Sequence, residues 1–465
     1  MSAVALEAES HSRSRFPVTA HVAAKVSSLR YEQLPAEIVE LARQTLLDWL
    51  AVAIAGSRQE LSRILVEEAQ DQGGRPVATL VGHGFKTSIQ QAALVNGATS
   101  HALDYDDTNF VAYGHCGVVI IPAILALAEH RNASGKDFVT ALVAGFEANG
   151  SAGSLVGQAH YDRGFHSTAT IGSFGSAAAC SNLLRLDDQQ TATAIGIAAC
   201  QTAGLKSMFG TMCKPLHAGK AAQNGLIAAT LAARGFTSCT EALECEQGFA
   251  TTHSPEFHPQ DAVAAAPGGF YLRHNLFKYH AACYITHAPI ECALTLRHTH
   301  GIGPHDIDSV RLKVQASAKD ICSIPTPRTG LEAKFSLRQV IAFAFGGVDT
   351  ASLATYSDAV VADPRLHDLR RRVEIDFRTD WPRAYAEMEV RLKDGRVVSA
   401  SHDANQPSDD LPQQRRRLSA KFTSLVKPVL GEGRAHKLLE HALRVDELGS
   451  MRDVAAVAVP EPLKA

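Results

Sequence analysis

The sequence predicts a mainly α-helical protein with a smaller α+β domain: a large all-helical domain formed by both chain ends, and the α+β domain inserted between them. Apolar residues recur at three-to-four spacing from about Val18 to Gly248 and again after Pro412. Between those stretches, from about Ser309 to Ala400, they alternate with period two. Asp394-Gly395 stands between two of the alternating runs, a strong hairpin signal because the favoured two-residue turn needs positive φ. A chain of 465 residues is also too long for one core of ordinary size, so more than one domain is expected.

Taken in order, residues 1–16 carry Glu7 and Glu9 without an apolar run of signal-peptide length, and are expected to be a disordered lead-in. The helical domain is expected over 17–274. Pro35 opens a helix over Ala36 to Gly56 as a first-turn proline. Ser88 with Gln91, Ser134 with Asp137, and Asp187 with Gln190 have the spacing of a capping box or a close variant. Small residues crowd Ile171 to Cys180 and Ala221 to Ala233, which lets neighbouring helices approach closely and marks these as central. The α+β domain is expected over 275–405, with strands at Ser309 to Gln315, Val373 to Phe377, Met388 to Leu392 and Arg396 to Ala400, and a helix at Ser336 to Phe345. Residues 406–465 return as C-terminal helices, with Leu438, Leu439, Ala442 and Leu443 on one face against the helical domain. Arg415 to Arg417 reads as a solvated face.

Composition excludes several function classes. Hydrophobic residues make up 46% and charged residues 20%, with a net charge of -3, so there is no bulk footprint for nucleic acid or for a membrane surface. No run approaches the roughly 18 apolar residues of a membrane span. The 9 cysteines are dispersed without a CxxC pair and read as reduced thiols of a cytoplasmic protein. Neither GxGxxG after a strand nor GxxxxGK[ST] is present, and HExxH is missing too, so no nucleotide, other cofactor or metal is expected. Any anion site must be local.

Four clusters could carry chemistry. The first is His101-Ala-Leu-Asp104-Tyr-Asp106-Asp107-Thr108, followed by His115-Cys116-Gly117 before the apolar run Val118 to Ala128. Clustered carboxylates at the end of an apolar helix are costly to bury, and read either as a site or as a solvated helix end. The second, Gly164-Phe165-His166-Ser167-Thr168, opens a small-residue helix, whose N-terminus favours anions. The third, Lys214-Pro-Leu-His217-Ala-Gly-Lys220, places lysines at the start of a mostly buried helix. The fourth is Lys278 with His280, Cys283 and His287 at the domain junction, a favoured place for ligands.

Together and in this order, the four motifs resemble the MmgE/PrpD family of 2-methylcitrate dehydratases, cis-aconitate decarboxylases and iminodisuccinate epimerases. The resemblance covers about 18–445. It implies a homodimer whose metal-free and cofactor-free site lies in a cleft between domains. By position it places Asp104, Thr108, His115, His166, Lys214 and Lys278 in the site, with His101, His217 and His287 nearby. The chain departs from common family patterns at Cys116, where many members have proline, and over Ala316 to Ile321, where some decarboxylases carry tyrosine.

The reactions of such a family share excess negative charge beside a carboxyl group, which calls for cations to hold spectator carboxylates and a base of matched pKa. The expected enzyme is a carboxylate lyase acting on a small di- or tricarboxylate, with dehydration preferred over decarboxylation or epimerisation. His115 is expected as the base, with its tautomer fixed by Asp104. Lys214 and Lys278 would hold carboxylates, Thr108 would hydrogen-bond substrate, and His166 would be a neutral donor whose pKa the helix dipole lowers. The competing expectations are a non-catalytic carboxylate-binding protein and a metal-dependent hydrolase built on Asp104, Asp106 and Asp107.

Overall fold

The computed structural model describes residues 16–461. All of the expected lead-in except Phe16 lies outside the described residues. Ten helices and six strands position the site. Helix α1 spans Ala36–Gly56, α2 Ile89–His101, α3 Gly117–Arg131, α4 Gly135–Asp162, α5 Ser167–Leu183 and α6 Cys213–Ala232. Pro35 precedes α1 with an extended ψ of 149°, so it stands at the cap and not in the first turn. Ser134 with Asp137 and Asp187 with Gln190 form reciprocal capping boxes. Ser88 caps α2 in one direction, its hydroxyl accepting from the Gln91 N–H.

The small residues do what their size allows. A Cβ on Gly97 of α2 would lie 2.8 Å from Gly219 Cα of α6, and one on Gly219 would lie 2.2 Å from the Leu94 carbonyl oxygen. Helices α2 and α6 therefore meet backbone to backbone, which brings His101 at the end of one beside Lys214 at the start of the other.

The helical part is not free of strands. Strand β1, Thr108–Asn109, pairs antiparallel with β2, Asn275–Leu276, and Ala78–Thr79 pairs with Lys86–Thr87. Ladders this short leave no periodicity to read. The first of them ties the acidic motif to the segment carrying Lys278.

The α+β part holds a four-stranded sheet. Strand β3 is Ile307–Gln315, β4 Val373–Arg378, β5 Tyr385–Leu392 and β6 Val397–Asp403, in the order β4-β3-β5-β6. Only the β3–β4 pair is parallel. Gly395 turns the β5–β6 hairpin at φ 89°. Helices α7, His287–His300, and α8, Leu337–Phe345, pack on each other, and α7 lies against β5 and β6.

Helices α9, Leu411–Leu430, and α10, Glu432–Leu443, return to pack on α1. Lys421 of α9 reaches Asp48 of α1 at 2.6 Å, with their side chains 2% and 1% exposed. The Arg415–Arg417 run is more than a solvated face: Arg415 pairs with Glu40, and Arg417 pairs with Glu291 while stacking 3.8 Å over the Tyr279 ring. Among the described residues no helix is long and apolar enough to cross a membrane.

Candidate active site

The site forms where α2 ends, α3, α5 and α6 begin, and the β2 segment runs on to Lys278. Asp104 sits in the turn after α2 with a φ of 50°, in the left-handed region where a short polar side chain is tolerated. Its Oδ1 accepts from Lys214 Nζ at 2.8 Å and Lys278 Nζ at 3.1 Å, and its carbonyl also accepts from Lys278 at 2.5 Å. Burial opposes ionisation of Asp104, yet the two ammoniums hold its carboxyl well below the usual range. Lys278 is buried as well, and Asp104 more than offsets that burial, so its pKa is raised.

Asp106 holds two histidines. Its Oδ1 and Oδ2 lie 2.9 and 3.0 Å from His101 Nδ1, and its Oδ2 lies 2.9 Å from His115 Nδ1. The His115 Nδ1 also lies 2.6 Å from the Asp107 carbonyl oxygen. Both neighbours can only accept, so the proton of a neutral His115 resides on Nδ1 and leaves Nε2 with its lone pair. The Asp106 carboxyl stays well below its usual range despite burial, because both imidazoles favour its charge. The expected pairing of Asp104 with a histidine is thus corrected. Asp104 belongs to the lysines and Asp106 to the histidines, since the turn at Asp104 points it at α6 while Asp106 lies beneath the rings.

The other histidines of the cluster, His101, His166 and His217, all have lowered pKa values, with burial the first cause. Burial brings His101 down to about 4, and its Nε2 is buried with no hydrogen-bond partner among the described residues. His166 caps α5 without a side-chain cap bond, and its Nδ1 meets His217 Nδ1 at 3.1 Å. Its pKa is well below the ordinary value through burial first and then the adjoining imidazole of His101 and the Lys214 ammonium. The expected direction holds, but the cause is burial and not chiefly a helix dipole. Phe209 packs 4.9 Å from the His166 ring and lies beneath the Lys214 ammonium.

Asp107 behaves unlike its neighbours. Burial, then the charges of Asp106 and Asp48, push its carboxyl up to about 8, and it accepts from the Gly117 N–H at 3.0 Å. It is a protonated structural acid at neutral pH.

The N-terminal domain pattern of the MmgE/PrpD family matches residues 20–262 and its C-terminal domain pattern residues 280–447. The chain belongs to the MmgE/PrpD family. Its similar proteins include a cis-aconitate decarboxylase-like protein, oryM, of Aspergillus oryzae, 31% identical over 61% of this chain and 62% of the relative. The cis-aconitate decarboxylase of Aspergillus terreus is 26% identical over 94% of this chain and 95% of its own. The human cis-aconitate decarboxylase is 25% identical over 93% and 92%.

In this MmgE/PrpD chain the structure brings together His101, Asp104, His115, His166, Lys214, His217 and Lys278. Thr108 is beside them in β1, 8% exposed, and its hydroxyl makes no hydrogen bond among the described residues. His287 bonds to none of these side chains, although Lys278 helps to lower its pKa after burial and His280. It packs 5.0 Å from the His280 and Tyr284 rings and lines a separate cavity of about 270 Å³, together with Phe277 and Tyr279, the residues that flank Lys278.

Sequence reasoning missed the buried frame beneath the cluster. Lys421 Nζ donates to Asp48 and to the carbonyls of Tyr105, at 2.7 Å, and Lys278, at 2.9 Å, so it fixes the backbone on both sides of the site. The signal was available: Asp48 interrupts the apolar run Leu46-Leu47-Asp48-Trp49-Leu50, and Lys421 lies on the same helical stripe as Leu418, Phe422 and Leu425. Thr168 has a part that its sequence position does not reveal: its Oγ1 accepts from the His115 N–H at 3.1 Å.

His101, Asp106 and His115 are also the one group among the described residues whose ligand atoms, within 4.8 Å of one another, could hold a metal ion. Two imidazoles and a carboxylate suit a divalent transition metal.

Proposed function

We propose that this MmgE/PrpD protein is a carboxylate lyase that removes carbon dioxide from a cis-aconitate-like unsaturated tricarboxylate. The observation that carries the reading is the pairing of His115, held by Asp106 with Nε2 unencumbered, with the Lys214–Asp104–Lys278 cation cluster. Cations hold the spectator carboxylates, and Lys214, 18% exposed, has donor positions beyond its bond to Asp104. The departing carboxylate leaves its bonding pair on carbon, delocalised into the remaining unsaturated acid. A protonated His115 delivers a proton to that carbon, and Asp106 stabilises the imidazolium beforehand. Its similarity to cis-aconitate decarboxylases over nearly the full length supports decarboxylation ahead of the dehydration that the sequence put first.

Dehydration remains the second reading, because the same Nε2 in neutral form is a base positioned to remove a proton beside a carboxylate. We propose a homodimer for the working enzyme, consistent with Leu205, Phe209 and Met212 exposed next to the cluster. Incubation with unsaturated and β-hydroxy di- and tricarboxylates, followed by proton NMR, separates the readings. Decarboxylation of the unsaturated acid alone supports the first, and water loss or addition supports the second. Binding by thermal shift without any turnover would favour the non-catalytic alternative.

A further inference from the structure

A third lysine lies at the cleft, contributed by the α+β part of the chain. Lys334 closes the short helix Gly330–Ala333, and its carbonyl accepts from the Cys283 N–H at 3.1 Å, which anchors it to the segment that follows Lys278. Its ammonium sits 5.7 Å from the centroid of the Tyr356 ring. It forms no ion pair and no side-chain hydrogen bond among the described residues. Nevertheless it is close enough to Asp104 and Lys278 to feel both charges, and burial followed by Lys278 lowers its pKa. An aromatic face steadies an ammonium without neutralising it. A lysine so placed without a counter-ion is costly unless an anion arrives.

Charge arithmetic points the same way. Lys214 and Lys278 pair with Asp104, and Lys334 pairs with no carboxylate among the described residues; with His115 protonated, as the decarboxylation requires, four positive charges stand against Asp104 and Asp106, which leaves a surplus of two. A tricarboxylate that loses one carboxylate keeps two as spectators. We infer that Lys334 is a further substrate-holding residue that grips a carboxylate remote from the reacting carbon and makes the site selective for tricarboxylates over dicarboxylates. The inference rests on the carboxylate-lyase reading above for its substrate class.

The test uses the full-length protein, with Lys334→Met and Lys334→Arg beside wild type and circular dichroism to check folding. Affinity is measured calorimetrically for propane-1,2,3-tricarboxylate and for glutarate, neither of which needs turnover, and KM and kcat are measured with cis-aconitate. The expected outcome is that Lys334→Met weakens the tricarboxylate about tenfold or more and glutarate far less. With cis-aconitate most of the loss is expected in KM. Lys334→Arg is expected to recover the larger part. Equal weakening of both ligands, unchanged tricarboxylate affinity in folded Lys334→Met, or no tricarboxylate binding by wild type would overturn the assignment. If wild type binds the tricarboxylate selectively but turns over no cis-aconitate, the decarboxylase reading fails while the binding data still decide the role of Lys334.

Discussion

Asp106 Oδ2 lies 2.9 Å from His115 Nδ1, on the side of the ring away from the atom that would exchange a proton with substrate. A carboxylate in that position fixes the tautomer and the orientation of the ring. Asp106→Asn is expected to lower kcat by about 10²–10⁴-fold while leaving KM within a small factor, because the amide keeps the shape and loses the charge. Steady-state kinetics at neutral pH checks this. A loss confined to KM would mean that Asp106 serves binding instead.

The two site lysines differ in how deeply they are held. Lys278 is 2% exposed and bonds both the carboxylate and the carbonyl of Asp104, whereas Lys214 is 18% exposed. Lys214→Met is expected to raise KM and leave the fold intact. Lys278→Met removes a buried ammonium together with its bonds to the carboxylate and carbonyl of Asp104, and is expected to lower the melting temperature as well. Thermal melts beside kinetics separate the two cases.

The Asp48–Lys421 pair is the corresponding test for the frame. Lys421→Met alone strands a buried carboxylate and releases the carbonyls of Tyr105 and Lys278, so a loss of about 3–5 kcal/mol is expected by denaturant unfolding. Replacing both residues with apolar ones is expected to recover much of the stability, but less of the activity. Activity depends on those carbonyls staying where Lys421 holds them.

Stability should fall on both sides of neutrality, for different residues. His101 and His160 are each lowered to about 4 by burial, against about 6.5 unfolded, so between those values the unfolded chain binds protons that the folded chain does not. Stability is therefore lost as pH falls from about 6.5 towards 4. Asp107 is the reverse: raised to about 8, it keeps a proton that the unfolded chain releases near 4, so its contribution declines as pH rises between them. In melts across pH 5–8, Asp107→Asn is expected to gain on wild type as pH rises. A constant difference would place the charged form of Asp107 in the folded protein.

The histidine–carboxylate group His101, Asp106 and His115 makes metal content a direct check on mechanism. The imidazole-proton mechanism expects no stoichiometric divalent metal by elemental analysis and undiminished turnover after chelation. One equivalent of bound metal with activity lost on its removal would replace it with metal-assisted chemistry.

Much of this architecture was legible in the chain. Helix α1 falls at the range its periodicity gives, and the Asp394-Gly395 hairpin falls where its turn chemistry puts it, because local signals govern both. The cluster of His115, His166, Lys214 and Lys278 was found through motif order. Its internal pairing was not: three aspartates within four residues look alike in sequence, and only the positive φ of Asp104 turns it towards the lysines and away from the histidines. The ring contacts of His287 with His280 and Tyr284 were not legible either, since they depend on the path of the chain after Lys278. Lys334 escaped notice because it stands beside no other chemical group in the sequence, and its nearness to the segment after Lys278 comes only from the bond of its carbonyl to the Cys283 N–H.

The central claim is that His115 handles the proton in a decarboxylation, and turnover of cis-aconitate in D₂O followed by NMR tests it most directly. The expected result is carbon dioxide release with one deuterium placed on the carbon that lost it, slowed about 10²–10⁴-fold in His115→Gln and much less in His166→Gln. Turnover by His115→Gln at the wild-type rate, or no release of carbon dioxide by the wild type, would contradict it.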